Sequence, residues 1–314
     1  NNARALFFAG QTLREPAYSD LALAILDNDL PHLISADGFL REGSSHYQLL
    51  FTRWVLEMLW LAERTGHRDV HARLLDVAPS LVRQCWFFLV PAGKQGNWAF
   101  PLFGDVSPDF PWEWLIGLPW STLARRYFDP GDGSKRPIWR GWSDLWEPAA
   151  DLPASDAGHK AHEKFRMFPK SNWYRVDWGR WTVLWHVRPE CEKRQASHHH
   201  GDLCSFVIYF DGVAIVVDPG RHDYRPENIG RYGVMARAHN SVILDGLDPS
   251  VSRLDTNIPG FYSAMRVNVK WEDKGSEFNF TVKHTGFSRV WGDPVLHCRH
   301  FTIADGLFVI EDRL

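Results

Sequence analysis

The sequence predicts an α+β chain with segregated elements, helical in its first half and antiparallel β in its second. Three observations carry that prediction. Apolar residues recur at helical spacing from Ala17 to about Leu123, and they alternate with period two from about Phe206 onward. Between these regions, Phe128 to Pro169 dissolves into Pro, Gly, Asp and Ser with isolated Trp. Helices first and strands afterwards favour layered segregation over alternating α/β units. The helical part is placed at residues 1–150 and the β part at 165–314.

Taken in chain order, Tyr47, Leu50, Trp54, Met58 and Leu61 form one apolar helical stripe. Val70, Leu74, Val77, Leu81, Cys85 and Phe88 form another, read as one face of a single amphipathic helix. A loop rich in Gly and Pro, Pro91 to Pro111, separates these from a further helix around Trp112 to Tyr127. Trp139, Trp142 and Trp146 suggest a short helix with one aromatic face. In the second half, Phe206 to Phe210, Asp211-Gly212 and Val213 to Val217 spell a hairpin around a favoured two-residue turn. Phe278, Phe280 and Val282 alternate, and His300 to Ile303, Asp305-Gly306 and Leu307 to Ile310 form a second hairpin.

Composition narrows the function classes. Of 314 residues, 45% are hydrophobic and 23% charged, which suits a large globular core. A net charge of -3 gives no overall basic field for nucleic acid or an anionic membrane. The longest apolar stretches, such as Ser205 to Val217, are broken well short of the roughly 20 residues of a membrane helix. The cysteines Cys85, Cys191, Cys204 and Cys298 are scattered and read as free thiols rather than a disulfide framework or zinc ribbon. Trp is unusually abundant at 16 residues, and an indole can fill a core or stack on a sugar ring.

The densest chemical signal is Ser197-His198-His199-His200-Gly201-Asp202, expected at the start of a strand, where alternation puts His198 and His200 on one side. A carboxylate follows in Val217-Asp218-Pro219-Gly220, and another imidazole in Ala238-His239-Asn240-Ser241. Two imidazoles, one carboxylate and a water satisfy tetrahedral zinc. Asp-Pro-Gly is also ordinary turn chemistry, and a His cluster is also a solvated loop. Gly104 to Asp109 with Trp112 and Trp114 offers a carboxylate and flat rings for a sugar subsite, or else an ordered interhelical loop.

Taken together, the segments from His198 to Phe206, Val217-Asp218-Pro219-Gly220 with Tyr224, and Ala238-His239-Asn240-Ser241-Val242 resemble the C-terminal domain of the heparinase II/III-like polysaccharide lyases. In that family the pattern runs His-Gly-His-Ala-Asp, Val-Asp-Pro-Gly with a following Tyr, and Ala-His-Asn-Thr-Val. Arg41-Glu42-Gly43-Ser44-Ser45-His46-Tyr47 is similar to the segment that presents the family's catalytic Tyr at the head of a helix. From Trp120 to Pro169 no motif of the family is recognised.

The resemblance implies an incomplete (α/α) toroid followed by an antiparallel β-sandwich, with the active site in the cleft between them. It implies a zinc site of structural role at His200, Asp218 and His239. It implies β-elimination at a uronic acid of an acidic polysaccharide or oligosaccharide, with Tyr47, His198 and Tyr224 as the catalytic candidates. Arg41, Glu42, His46, Asp105, Trp112 and Arg231 are the candidate substrate contacts. A periplasmic or secreted location follows from the same resemblance.

One departure matters. The family's Asn, or Asn-His pair, lies about one helical hairpin before the catalytic Tyr, and here that place falls just before Asn1. The chain is therefore expected to be the C-terminal portion of a longer protein. Two other classes stay open at this stage: a catalytically silent sugar-binding or polysaccharide-assembly protein with the same fold, and a zinc-dependent hydrolase. The hydrolase lacks an evident carboxylate base for a zinc-bound water. A second copy of the chain stays open as a partner.

Overall fold

A computed structural model describes residues 1–92, 97–106, 112, 115, 164–187, 198, 200–225, 227–249, 265–288 and 295–314. Five helices come first: α1 (Asn2–Leu13), α2 (Pro16–Leu33), α3 (Ser45–Thr65), α4 (Arg68–Leu75) and α5 (Ala78–Phe88). Helix α3 is the central one. Ser44 caps it by accepting from the Tyr47 amide at 3.0 Å, and Gly66 ends it in the left-handed region at φ 70°. The stripe from Val70 to Phe88 is two helices, not the single one expected, because Pro79 has no amide proton to continue the ladder and restarts it as the first turn of α5. The expected loop after α5 contains a small hairpin, β1 (Val90–Ala92) with β2 (Asn97–Ala99).

The second half builds two antiparallel sheets. The first is a five-stranded meander of β3 (Phe165–Phe168), β4 (Trp173–Trp178), β5 (Trp181–His186), β6 (Ser205–Phe210) and β7 (Val213–Val216). The second runs β11-β10-β9-β8, from β8 (Val267–Asp273), β9 (Glu277–His284), β10 (His297–Ala304) and β11 (Leu307–Arg313). Both expected hairpins form. Asp211 and Gly212 have φ of 49° and 74°, the double positive φ of the turn that matches strand twist. The helix expected around Trp112 to Tyr127, the Trp139, Trp142 and Trp146 set and the 128–163 part of the junction lie outside the described residues, apart from Trp112 and Leu115.

The five-stranded sheet is the middle layer, which explains its sequence. Val207, Tyr209, Leu184 and Trp173 pack into the helical core with Phe39, Phe87, Phe88 and Phe103. Phe206, Ile208, Val183, Trp185 and Val176 face the other way, against Phe278, Phe280, Val282, Phe301 and Ile303 of the four-stranded sheet. A strand buried on both faces reads as a continuous apolar run, as Phe206 to Phe210 does, whereas β9 and β10 alternate because only one face is covered. Many of the Trp residues are core residues on this account: Trp173 and Trp185 are fully buried among aromatic rings.

Arg175 links the layers. Its Nη1 donates to the carbonyls of Phe87 and Leu89 at 2.7 and 2.8 Å, at the C-terminus of α5, while Nε and Nη2 grip Asp177 at 2.9 Å each. Helix ends leave carbonyls without intrahelical partners, and this buried guanidinium satisfies them from the sheet. Burial would raise the Asp177 pKa, but Arg175 and Arg166 hold it well below the usual carboxylate range.

Candidate functional site

The site lies where the head of α3, the segment 100–106 and the loops flanking β6 and β7 meet. Ser45 fastens segment 100–106 to the helix: its Oγ donates to the Pro101 carbonyl at 2.7 Å and accepts from the Phe103 amide at 3.0 Å. Ser44 Oγ donates to the Asp105 carbonyl at 2.6 Å, and the Asp105 amide donates to the His198 carbonyl at 2.8 Å. Gly104 sits at this crossing with φ 69°, and a Cβ there would lie 2.6 Å from the His198 carbonyl oxygen and 2.8 Å from that of Gly43. Leu102 also bridges Pro219, so the Asp218-Pro219-Gly220 turn joins the same junction.

His198 and His200 are not on a strand, as was expected, but in the turn before β6, where Cys204 takes φ 59° to swing the chain into Ser205. They nevertheless face one partner. His198 Nδ1 lies 3.0 Å from Asp105 Oδ2, and His200 Nε2 lies 2.9 Å from Asp105 Oδ1. The Tyr47 and His198 rings stack with centroids 3.7 Å apart and planes 16° from parallel. The Tyr47 and Tyr224 hydroxyls are 3.2 Å apart, and Tyr224 also donates to the Val106 carbonyl at 3.2 Å. Burial and the hydrogen bond to Tyr47 push the Tyr224 phenol upward, so it stays a neutral donor. The three catalytic candidates thus form one half-open cluster, with Tyr224 40% exposed.

The expected substrate contacts divide. Glu42 Oε2 is 3.5 Å from His198 Nε2 at the rim, and Arg41 is exposed with Nε 3.4 Å from the Ile34 carbonyl. Arg231 is exposed on a short helix, α6 (Asn228–Tyr232). His46 and Asp105 do not face a cleft: they are 1% and 0% exposed, because the capped first turn of α3 turns His46 inward and the crossing at Gly104 seals Asp105. Trp112 packs against the helical core, its ring stacked on Phe100 at 5.7 Å. Asp109, Trp114, Ser197 and His199 lie outside the described residues.

Sequence reasoning missed Arg221. Its side chain is 2% exposed, its Nη1 donates to Asp105 Oδ1 at 2.9 Å, and its guanidinium lies 4.3 Å over the Tyr224 ring. The available signal was a cation directly after Asp218-Pro219-Gly220, where a buried carboxylate needs a partner. His186 and Asp202 were missed too, with His186 Nδ1 3.6 Å from Asp202 Oδ2.

The proposed metal ligands also gather here. His239 Nδ1 lies 2.9 and 3.0 Å from the two Asp218 oxygens, and the His200 and His239 rings are 5.0 Å apart. Burial opposes charge on His239, but Asp218 outweighs it and pushes the pKa up to about 9. Among the described residues, His200 Nδ1 and both Asp202 oxygens are buried with no hydrogen-bond partner, and each such atom costs about 1–3 kcal/mol unless something satisfies it. The donor types, two imidazoles and a carboxylate, with the orphaned nitrogen belonging to His200, fit zinc. Among the described residues, no three His, Cys, Asp or Glu side chains converge as a ready-made cation cage.

Comparison with known proteins agrees with the architecture. Residues 160–314 match the family described as heparinase II/III-like, C-terminal. Among solved structures, a heparinase III gene product superposes with a TM-score of 0.65 at 18% identity, covering 99% of this chain and 44% of that one. The heparan sulfate lyase HepC from Pedobacter heparinus gives 0.62 at 15% identity, covering 99% and 44%. A further heparinase III gives 0.65 at 15%, covering 99% and 46%. At these identities the likeness is one of fold, and the chain spans less than half the length of these proteins. No curated protein matches the sequence.

Proposed function

We propose that this chain, whose residues 160–314 belong to the heparinase II/III-like C-terminal family, is part of a polysaccharide lyase that cleaves a uronic-acid-containing polymer by β-elimination. On this reading the helices are part of an (α/α) toroid (1–150), the two stacked sheets are a β-sandwich (165–314), and substrate lies in the cleft between them. The observation that carries the reading is the Tyr47, His198 and Tyr224 cluster: a phenol stacked on an imidazole and bonded to a second phenol at the interface of helices and sheets.

The chemistry assigns each group a task. A base removes the C5 proton, the electron pair forms the C4–C5 double bond, and the C4–O bond breaks with protonation of the departing oxygen. Tyr47 carries the proton, as a phenolate taking it from C5 and as a phenol giving it to the leaving oxygen. Tyr224, kept neutral, turns its O–H from the Val106 carbonyl to the Tyr47 oxygen and stabilises the ionised state. His198, stacked on Tyr47, is the second proton-transfer group, its Nε2 edge turned to the open side of the site. Arg41, Glu42 and Arg231 are left as rim contacts to the sugar.

Zinc held by His200, Asp218 and His239 would supply charge neutralisation and rigidity beneath the cleft rather than an activated water. A hydrolase remains less well supported, since Glu42, the carboxylate at the rim, faces His198 rather than the proposed metal ligands. A polymer-processing role fits a periplasmic or secreted home; among the described residues, no helix is long and apolar enough to cross a membrane.

The test is to incubate the protein, with and without its native upstream sequence, with a panel of acidic polysaccharides and follow the ultraviolet absorbance of the new C4–C5 double bond. An absorbance rise with one polymer class supports the lyase and names its substrate. Metal and sugar binding without any rise, in the extended protein, moves the assignment to a silent binding or assembly role.

A further inference from the structure

We propose that Asp105 is a positioning residue: its carboxylate, delivered from the helical half, fixes which ring nitrogen of His198 carries a proton and holds that ring against Tyr47. The catalytic consequence rests on the lyase reading above, whereas the geometric claim does not. Asp105 is wholly buried, and its backbone is tied on one side to Ser44 and on the other to His198. Among the described residues its two oxygens meet three side chains. Oδ2 meets His198 Nδ1, while Oδ1 meets His200 Nε2 and Arg221 Nη1.

The donor inventory then settles the protons. An ionised carboxylate only accepts, and a guanidinium only donates. With Arg221 on Oδ1 the carboxylate is charge-paired, so His198 must present Nδ1–H and His200 must present Nε2–H. His198 keeps its Nε2 edge toward Glu42 and the open side of the site. His200 keeps a lone pair on Nδ1, an atom buried without a hydrogen-bond partner among the described residues. One carboxylate thereby orients both imidazoles, as an outer-shell acid does for a ligating or reacting histidine.

Asp105→Asn tests this because Arg221 dictates the amide's orientation. Arg221 has no acceptor, so the amide oxygen must stay at the Oδ1 position and the NH₂ must turn toward His198 Nδ1. His198 is then forced to accept on Nδ1 and carry its proton on Nε2, with side-chain shape nearly unchanged. Nitrogen-15 spectra of the full chain labelled in histidine, assigned through His198→Gln, read this directly. The wild-type protein is expected to show His198 protonated on Nδ1, and Asp105→Asn to show the proton on Nε2 alone. The same variant is expected to lose lyase kcat on the order of 10²–10⁴-fold with KM moved only severalfold, the size of a lost acid–base contribution.

The outcomes separate the two claims. A wild-type His198 without a proton on Nδ1 overturns the positioning claim even if Asp105→Asn fails to fold, and so does a His198 tautomer unchanged in a folded variant. A reversed tautomer with unchanged kcat overturns the catalytic consequence. A wild-type protein with the expected tautomer but no activity on any uronate polymer counts against the lyase reading and leaves the role of Asp105 standing.

Discussion

Replacing Arg175 by Met removes the guanidinium that ties the backbone carbonyls at the end of α5 to the middle sheet. The substitution keeps most of the buried stem but orphans the Phe87 and Leu89 carbonyls and takes from Asp177 its two-point partner. Removing one member of a buried pair costs about 3–5 kcal/mol. Asp177 keeps Arg166 at 2.5 Å and Thr182 at 2.8 Å, and its side chain is 34% exposed, so water screens part of the loss. The lower end, about 3 kcal/mol, is therefore expected. With an unfolding entropy of roughly 2.1 cal/mol/K per residue, that lowers the midpoint of a chain this size by about 5 °C if helices and sheets melt together. Arg175→Lys should fall almost as far, because one ammonium cannot serve two carbonyls and a carboxylate in that fork. Paired urea and thermal unfolding of the three proteins decide it. A loss below about 1 kcal/mol in Arg175→Met would refute the claim that this guanidinium couples the layers.

Three further outcomes are expected. Burial, with the nearby charges of His297 and Arg299, holds the His284 pKa at about 3, so this side chain stays neutral in the fold while it charges in the unfolded chain below about pH 6.5. The stability it contributes is present above that value and is lost as pH falls from about 6.5 toward 3, by up to about 1.4 kcal/mol per pH unit. His284→Gln should flatten the stability slope between about pH 6 and 4; an unchanged slope would show that other groups carry it. Gly104→Ala should prevent the junction of α3, segment 100–106 and His198 from closing, since its Cβ meets two backbone oxygens at 2.6 and 2.8 Å. A normal melt with an intact Tyr47–His198 stack would contradict that. Metal analysis should find about one zinc per chain, lost in His200→Ala and on chelation with a lowered unfolding midpoint; a metal-free protein of undiminished stability would count against the site.

Local signals were legible where local physics decides the outcome. The Asp211-Gly212 turn and the alternation of Phe278, Phe280 and Val282 each depend on a few adjacent residues, and both form as read. The break at Asp76 and Val77 was hidden because the apolar stripe continues in phase across it, and only Pro79 marks the interruption. The histidines were legible as a cluster, but their shared direction comes from Asp105, about 95 residues away in sequence, rather than from strand alternation. Asp105 itself was read as a sugar contact because Asp beside Gly and Trp looks like a loop. Its burial follows from long-range partners, Ser44, His198, His200 and Arg221, that no spacing rule connects. Arg175 was invisible for the same reason, as one charge within an apolar strand whose carbonyl partners lie in a helix end.

The central claim is that Tyr47 moves the proton in an elimination, and it is tested most directly by one comparison. The ultraviolet absorbance of the unsaturated uronate product is followed for the protein with its native upstream sequence and for its Tyr47→Phe variant, on the acidic polymer that gives the strongest signal. Phe keeps the ring that stacks on His198 at 3.7 Å and removes only the hydroxyl that meets Tyr224. The account predicts a rise in the parent protein and a rate lower by on the order of 10²-fold or more in a variant that binds the polymer as before. Equal rates in the two proteins would contradict it.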